Sequence, residues 1–346
     1  MGTGKIRVAL IFGGASDEHD VSVSSARSVY EAIDTSRYTV LPIAIDRKGH
    51  WLDASASLAL LEGKLEGKKE IQQHDHKRPN VGSPLLNEAD VAFPLLHGPH
   101  GEDGTIQGYF ELLGIPYVGS GVLASSVSMD KSMMREVFRC GGLPLVPYRV
   151  FTENDVQKSM DDVVKAIEST LSYPVFVKPA GLGSSIGISK AKTPEDLRIS
   201  LRTALQFDRR IVVEQGIEAR EIEIGILGND EPLYSVIGEI IPANEFYDYE
   251  AKYTSNASKL IIPAELNDEQ RKHIATLAIQ AYRLVRAQGL ARVDFFLDKR
   301  TGEIYVNEIN TIPGFTPKSM YPLLWQASGI RYSELIDRLI TLALSR

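Results

Sequence analysis

Short apolar runs separated by polar loops fill the first part of the chain. Residues 6 to 12, IRVALIF, end in Gly13-Gly14, and the following segment SVSSARSVYEAID predicts a helix because it opens with serines. Three further strand-like runs alternate with helical or loop stretches, namely TVLPIAI, DVAFPLL and IPYVG. This alternation predicts a parallel sheet covered on both faces, over roughly residues 1 to 125.

A smaller unit with both helices and strands follows. A helix is predicted to begin near Ser128, and the Pro and Gly residues of GGLPLVP separate it from the helical segment DVVKAIESTL. The strand YPVFVKP, a helix opened by TPED and the strand IVVEQ come next. These elements predict a small α+β domain that ends near Glu214.

The last third of the chain is predicted to contain a second group of strands. The strand-like segments EIEIGIL and LYSVIGEI precede a polar loop at residues 243 to 258, and a helix is predicted from Asp268 to Arg286. The apolar residues that mark its buried face are Ile274, Leu277, Ala278, Ala281 and Val285. Two strands, ARVDFFLD and EIYVNEIN, then form a hairpin through the turn-like KRTG.

Composition narrows the class of protein. The net charge is −7, and Lys and Arg are scattered among more numerous carboxylates, so nucleic acid and anionic membranes are not expected as partners. The single cysteine, Cys140, excludes an intrachain disulfide and suits a reducing compartment. The apolar run from Val8 to Phe12 is too short for a signal peptide or a membrane span. We therefore expect an untargeted, cytoplasmic protein.

Polar side chains in the final predicted hairpin suggest a metal site. Side chains alternate between the two faces of a strand, so Arg292, Asp294 and Phe296 share one face of the first strand. Glu308 and Asn310 share one face of the second strand. Two carboxylates and an amide oxygen on adjoining strands form a cluster of hard oxygen donors that suits Mg²⁺. The same residues also fit a solvated or salt-bridged sheet face, and both interpretations stay open at this point.

A segment rich in glycine and serine, KPAGLGSSIGISK at residues 178 to 190, follows an apolar strand. Its glycines let the backbone approach a ligand closely, the N–H groups of Ser184 and Ser185 can point at phosphate oxygens, and Lys178 adds a cation. The spacing matches neither a Walker loop nor a GxGxxG fingerprint, so a flexible hairpin tip is the alternative.

Two further loops carry candidate chemistry. NTIPGFTPKSM, residues 310 to 320, puts a Pro-Gly turn directly after the proposed metal ligands, where the turn can aim backbone donors. LHGPHGEDGTIQG, residues 96 to 108, contains His97, His100, Glu102 and Asp103. A zinc site there is disfavoured, because the rest of the chain offers no cysteine or further histidine at fitting spacing.

Seven collinear motifs resemble those of the D-alanine:D-alanine ligases of the ATP-grasp superfamily, from Ile6 to the end of the chain. They are GGASDEHDVS, HGPHGEDG, MDKSMMR, KPAGLGSSIG, EFYDYEAKY, ARVDFF and NEINTIPGFTPKSMYP. The resemblance implies an ATP-grasp fold of α/β and α+β type. An N-terminal Rossmann-like (preATP-grasp) parallel-sheet domain is expected at residues 1 to 125, and ATP-grasp subdomains are expected at 126 to 213 and 214 to 346, with ATP between them.

The resemblance also implies the nucleotide and metal ligands. Lys131 and Lys178 are expected to contact the phosphates, residues 214 to 217 the adenine, and Glu221 the ribose. The full expected ATP-binding set is Lys131, Lys178, Ser184, Ser185, Glu214, Gln215, Gly216, Ile217, Glu221, Phe296 and Asn307. Two Mg²⁺ or Mn²⁺ ions are expected on Asp294, Glu308 and Asn310, and a monovalent cation such as K⁺ is a further expected cofactor.

The reaction that the resemblance implies joins two D-alanines through an acyl phosphate formed with ATP. Glu18 is expected to bind the ammonium group of the first D-alanine and to form a hydrogen-bonded triad with Ser184 and Tyr253. His97 is expected to face the same substrate. Arg292 and the Gly314 N–H are expected to stabilise the oxyanion of the tetrahedral intermediate.

The second amino acid is expected to be bound through its carboxylate by Lys252, Ser319 and the Met320 N–H. Tyr253 resembles the residue of the dipeptide-forming members, so the sequence favours D-alanine over D-lactate as this second substrate. The family also suggests a homodimer.

Three other functions are less well supported than the one that the resemblance implies. Another ATP-grasp ligase would share the phosphate and metal elements, but the motifs of Glu18 and Tyr253 count against it. A Rossmann-type oxidoreductase is disfavoured, because GGASDE lacks the GxGxxG spacing. A catalytically dead binding protein is disfavoured by the presence of Lys178, Arg292 and the three expected metal ligands.

Overall fold

The computed structural model describes residues 4–64, 81–183, 187–242 and 259–346. The strands in these ranges form three sheets, of which one is parallel and two are antiparallel. None of the helices in the same ranges is long and apolar enough to cross a membrane.

The first sheet is parallel, as predicted, with the strand order β2-β1-β3. Its elements are β1 (Ile6–Gly13), α1 (His19–Ala32), β2 (Tyr38–Ile45), α2 (Ala54–Leu61), a 3-10 helix (Pro84–Glu88), β3 (Val91–Pro94) and α3 (Thr105–Leu113). The strand predicted at IPYVG is wrong as a full strand, since it contributes only one bridge, between Ala92 and Tyr117. Pro116 has no N–H to donate to a longer ladder.

The second sheet is antiparallel, with the order β4-β7-β5-β6. Its unit contains α4 (Val122–Met129), α5 (Lys131–Cys140), β4 (Tyr148–Thr152), α6 (Glu153–Lys158), α7 (Met160–Glu168), β5 (Val175–Pro179), β6 (Ser189–Ala191), α8 (Pro194–Ala204) and β7 (Arg210–Gln215). The helix predicted to begin near Ser128 begins at Lys131, and α4 precedes it as a separate helix. Asp130 separates them, because its side chain accepts hydrogen bonds from the N–H groups of Ser132 and Met133 and so begins α5 at Lys131.

The third sheet is antiparallel, with the order β10-β9-β8-β11-β12. Its unit contains β8 (Ala219–Gly228), β9 (Leu233–Ile241), β10 (Lys259–Ile261), α9 (Asp268–Leu284), β11 (Gly289–Asp298), β12 (Ile304–Asn310), α10 (Met320–Ala327) and α11 (Tyr332–Leu344). The five residues predicted to form the buried face of α9 are all buried, so that prediction is confirmed.

Helix α10 lies very close to the third sheet. A Cβ atom on Gly225 would be 2.9 Å from Trp325 Nε1, and one on Gly238 would be 2.7 Å from Met320 Sδ. Only glycine on the strands leaves room for these large side chains. The two glycines therefore determine how closely α10 packs on the third sheet. Met320 lies in the first turn of this helix.

Both faces of the first sheet are covered, as predicted. Alternate residues of β1, including Leu10 and Phe12, pack in one cluster with α1 and with residues of α11 such as Leu339. Ile11 points the other way, into a cluster that contains Phe110 of α3. The end of the chain thus completes the core around its first strand.

Candidate active site

The polar residues of the β11–β12 hairpin meet on one side of the third sheet. Asp294 lies directly opposite Glu308, and Arg292 lies opposite Asn310. Arg292 donates hydrogen bonds from Nε and Nη2 to the two oxygens of Asp294, both at 2.7 Å. The Nδ2 of Asn310 donates to Asp294 Oδ2 at 2.9 Å. The shared face predicted from strand alternation is therefore a compact charged cluster.

A bulge in this hairpin brings one more residue to the cluster. The register shifts between Asp294 and Phe295, so that Asn307 is the additional residue on β12. Val306 and Ile309 are both buried in the core, whereas Asn307 and Glu308 between them remain partly exposed. The bulge thus places two consecutive polar residues on the side of the sheet that carries Asp294.

Arg292 is surrounded by acidic groups, one of which the sequence reasoning missed. Its Nε lies 2.9 Å from Glu223 Oε2 on the neighbouring strand β8, where Glu223 is paired in register with Asp294. Burial alone would lower the pKa of Arg292, but the charges of Asp294 and Glu223 raise that pKa well above its ordinary value. Arg292 is therefore a permanent cation. The alternation of glutamates in EIEIGIL could have indicated Glu223.

Lys131 joins the glycine-rich loop to this cluster. It is the first residue of α5, and its Nζ donates to the carbonyl oxygen of Leu182 at 2.6 Å. The same Nζ lies 3.9 Å from Glu308 Oε2. The base of the loop at residues 178 to 183 and the carboxylates of β11 and β12 therefore converge, as the sequence predicted.

Lys178 and Glu214 form a buried charged group beside Lys131. The Lys178 Nζ lies 2.6 Å from Glu214 Oε2, and Arg135 of α5 forms a second ion pair with the same carboxylate. Burial would raise the pKa of Glu214, but Arg135 and Lys178 outweigh it and lower that pKa below its ordinary value. Arg135 was missed by sequence reasoning, although it ends the motif MDKSMMR.

The expected adenine and ribose residues lie at the junction of the second and third sheets. Gly216 donates its N–H to Pro174 O at 2.8 Å, and Gln215 holds both the N–H and the carbonyl of Ser172 at 2.7 Å. Ile217 is half-buried. Glu221 and Phe296 lie opposite each other on β8 and β11, two residues along their strands from Glu223 and Asp294, and are also half-buried.

The loop before α1 packs directly on the loop after β3. Glu18 directly precedes α1 and is buried, and a Cβ atom on Gly98 would be 3.0 Å from Glu18 Oε2. Ser16 donates from its hydroxyl to the His97 carbonyl at 2.8 Å. Only a glycine at 98 allows this contact, so the two N-terminal motifs form a single wall of the site.

His97 is held as a neutral hydrogen-bond acceptor. Its Nδ1 lies 3.1 Å from the carbonyl of Ile312, which can only accept, so Nδ1 carries the proton. Burial lowers the pKa of His97 below its ordinary value, against the opposing charge of Glu18. The buried Nε2 has no hydrogen-bond partner among the residues that the structure describes. This atom is therefore available to a substrate.

Glu102 is a second carboxyl group beside Glu18, and sequence reasoning gave it no role beyond a disfavoured zinc site. Its Oε2 accepts a hydrogen bond from the Gly98 N–H at 2.7 Å. Burial and the charge of Glu18 raise the pKa of Glu102 to about 8, although Arg292 acts in the opposite direction. The hydrogen bond between His97 and the Ile312 carbonyl brings these N-terminal loops beside the loop that follows β12.

The loop after β12 brings backbone donors to this space. Gly314 lies close to Ser319, since a Cβ atom on Gly314 would be 3.1 Å from the Ser319 hydroxyl. Ser319 accepts a hydrogen bond from the Thr316 N–H at 3.1 Å and directly precedes α10. Met320 is the first residue of that helix, where backbone N–H groups point out of the N-terminus. An anion is therefore favoured at this position.

The remaining expected site residues lie outside the part of the chain that the structure describes. These residues are Ser184, Ser185, Lys252 and Tyr253.

The oxygen donors fit a metal ion that is shared with a ligand. Within the four described ranges, no group of three or more His, Cys, Asp or Glu side chains is arranged to hold a metal. Asp294 and Glu308 supply two carboxylates that lie opposite each other. Asn310 contacts Asp294 through Nδ2, so that contact does not use its amide oxygen. Mg²⁺ in proteins usually takes one or two carboxylates and completes its shell with water and phosphate oxygens. The donor set therefore suits a metal–nucleotide complex.

Known proteins of one family match nearly the whole chain. Residues 7–120 match the family "D-ala D-ala ligase N-terminus", and residues 137–341 match "D-ala D-ala ligase C-terminus". The chain is 49% identical to the D-alanine--D-alanine ligase of Geobacillus thermodenitrificans, over 99% of this chain and 96% of the relative.

Two solved structures are similar in fold. The VanG D-Ala:D-Ser ligase of Enterococcus faecalis superposes with a TM-score of 0.84 and 35% identity, over 98% of this chain and 100% of that one. The D-alanine-D-alanine ligase of Coxiella burnetii gives a TM-score of 0.83 and 34% identity, over 99% of this chain and 94% of that one.

Proposed function

The chain belongs to the D-alanine--D-alanine ligase family, and we infer that it is an ATP-dependent ligase that joins two D-alanines for peptidoglycan synthesis. Membership of the family implies the ATP-grasp fold and the use of ATP with a divalent metal ion. One observation supports the location of the site above all: Lys131 contacts both the glycine-rich loop and Glu308. A nucleotide bound between these elements would meet both cations and carboxylates.

We propose that ATP lies between the units at residues 126 to 213 and 214 to 346. Lys131 and Lys178 contact its phosphates, the stretch 214 to 217 holds the adenine, and Glu221 holds the ribose. Ser184, Ser185, Phe296 and Asn307 complete the nucleotide site. The parts proposed for Lys178, Glu214, Glu221 and Phe296 are supported by the buried ion pair of Lys178 with Glu214 and by the pairing of Glu221 with Phe296.

Asp294, Glu308 and Asn310 are proposed to hold two Mg²⁺ or Mn²⁺ ions, and K⁺ is a further proposed cofactor. Metal ions bound there would neutralise charge on the transferring phosphoryl group. The protein itself contributes orientation, because Arg292 and Asn310 both hydrogen-bond to Asp294 and fix its carboxylate.

In the first step, the carboxylate of one D-alanine attacks the γ-phosphorus and ADP leaves, which gives D-alanyl phosphate. Glu18 binds the ammonium group of this substrate, and the neutral His97 accepts a hydrogen bond through Nε2. Ser184 and Tyr253 are proposed to link to Glu18 and close the site. Exclusion of water matters here, since an acyl phosphate hydrolyses readily.

In the second step, the free amine of the other D-alanine attacks the acyl carbon. The new C–N bond forms, the C–O bond to phosphate breaks, and the amine loses a proton as inorganic phosphate leaves. Arg292 and the Gly314 N–H stabilise the oxyanion that develops. Ser319, the Met320 N–H and Lys252 bind the carboxylate of this substrate, which agrees with the anion-favouring start of α10.

Two further proposals concern the compartment in which the protein works and its oligomeric state. We propose that it works in the cytoplasm, where its nucleotide substrate is made. We also propose a homodimer, as the family suggests. Sedimentation of the purified protein tests the second proposal, and a monomer at micromolar concentration would refute it.

The proposed reaction is tested by phosphate release from ATP. We expect release only when Mg²⁺ and D-alanine are both supplied, and we expect Glu308→Gln to abolish it because a metal ligand is lost. Glu303→Gln, on the same hairpin but exposed, is the matched control and should retain activity. Turnover with L-alanine but not with D-alanine would refute the proposal. Competition between D-lactate and D-alanine over a pH series then identifies the second substrate, because only the amine changes protonation there.

A further inference from the structure

Glu223 is a buried carboxylate that the proposed mechanism does not use. It lies on β8, paired in register with Asp294 on β11, and only 8% of its side chain is exposed. Its Oε2 is 2.9 Å from Arg292 Nε, while the same Nε donates to Asp294 at 2.7 Å. The guanidinium of Arg292 is therefore held between two carboxylates on neighbouring strands.

In the proposed reaction, the oxygens of Asp294 have two partners, Arg292 and a divalent metal ion. Both oxygens now accept hydrogen bonds from Arg292, yet the same carboxylate is proposed to bind a divalent metal. A metal ion on Asp294 competes with the guanidinium, because two cations share one anion. Without a second anion, Arg292 would either hold Asp294 away from the metal or be displaced from its catalytic position.

We propose that Glu223 is a positioning residue that holds Arg292 in place when Asp294 binds the metal ion. This inference rests on the proposed function. Glu223 acts through Arg292, whose Nε lies 2.9 Å from Glu223 Oε2, and it is not one of the proposed metal ligands. Glu223 contacts Arg292 at Nε, whereas Nη2 of the same guanidinium group donates to Asp294.

The test compares two buried glutamates that each pair with an arginine. Glu223→Gln removes the charge beside Arg292. Glu239→Gln is the matched control: Glu239 is also buried, lies on the adjacent strand β9, and accepts hydrogen bonds from Arg220 at 2.8 and 2.7 Å. Each variant loses one partner of a buried ion pair, so both are expected to lose stability to a similar degree.

Two measurements separate a positioning role from a structural one. The first is the Mg²⁺ concentration for half-maximal phosphate release at saturating ATP and D-alanine. The second is Mn²⁺ binding, followed by electron paramagnetic resonance with a non-hydrolysable ATP analogue, which does not depend on turnover. For Glu223→Gln we expect both to shift by about 10-fold or more toward weaker metal binding, and kcat to fall by a similar factor.

Glu239→Gln is expected to leave the Mg²⁺ requirement and the Mn²⁺ affinity within about twofold of the wild type, since it touches none of the cluster. Glu223→Asp keeps the charge but withdraws it from Arg292, and a smaller shift in the same direction is expected. This variant carries the test if the glutamine variant does not fold.

Unchanged Mn²⁺ affinity in the Glu223 variants, or equal losses in the Glu223 and Glu239 variants, would overturn the inference. Failure of the proposed function is distinguishable, because the wild-type protein would then show no phosphate release that depends on D-alanine.

Discussion

The carboxyl group of Glu102 is expected to make the stability of the folded protein depend on pH. Its pKa in the folded protein is about 8, whereas an unfolded glutamate titrates near 4.3. Between these values the folded state binds about one more proton than the unfolded state. The free energy of unfolding therefore falls as pH rises, by about 1.4 kcal/mol per pH unit. The stabilisation is complete below pH 4 and is lost as pH rises through 8.

The variant Glu102→Gln isolates this effect. Glutamine mimics the protonated carboxyl group and keeps an oxygen that can accept from the Gly98 N–H. From pH 5.5 to 7.5 the wild type should lose about 2 to 3 kcal/mol of stability relative to the variant. The charge of Glu18 is one cause of the raised pKa of Glu102, after burial.

Urea unfolding at pH 5.5, 6.5 and 7.5 measures the difference, with the fluorescence of the buried Trp51 and Trp325 as the signal. Glu303→Gln, which removes an exposed carboxylate, should run parallel to the wild type. If Glu102→Gln also runs parallel to the wild type, Glu102 is ionised at neutral pH and the reasoning about its burial is refuted.

Three substitutions test the packing that supports the site. Gly98→Ala puts a Cβ 3.0 Å from Glu18 Oε2, so the KM for D-alanine should rise about 10-fold by steady-state kinetics; Gly142→Ala, with a similar positive φ but nothing within 4 Å, should leave that KM unchanged. Gly225→Ala meets Trp325 Nε1 at 2.9 Å and should cost about 1 to 3 kcal/mol in urea unfolding. It should also raise the KM for the second D-alanine, because α10 begins at Met320 directly after Ser319; an unchanged KM contradicts this. Arg135→Met leaves the buried Glu214 with one cation fewer and should cost about 3 kcal/mol and raise the KM for ATP, whereas a selective loss of D-alanine binding would contradict its placement.

Strand alternation was enough to predict the charged face of the final hairpin. Arg292 and Asp294 share that face because side chains alternate along β11, and the paired strand brings Glu308 opposite Asp294. The bulge at Asn307 was not predictable, since it depends on how β12 pairs with β11 and leaves no mark in the pattern of apolar residues. The order of the strands in the sheet was not predictable for the same reason. The contact of Glu223 with Arg292 depends on that order and was therefore not predictable either.

Local capping was also only partly readable. The helix opened by TPED begins with a capping box at Thr193, as its sequence indicates. Asp130 likewise caps α5, which begins at Lys131, three residues after the predicted start near Ser128. Glu102 was missed because its altered pKa arises from burial that only the folded chain provides, and then from the charge of Glu18, which lies far away in the sequence.

The packing of α11 against β1 has a consequence for biosynthesis. The apolar side of the first strand that holds Leu10 and Phe12 finds its cover partly in Leu339 and its neighbours. On the ribosome, this apolar side of β1 stays uncovered until α11 has been synthesised, so the N-terminal sheet completes its packing late in folding. Chaperone binding to nascent chains, and poor yield of fragments that stop before residue 332, are the expected signs of that delay.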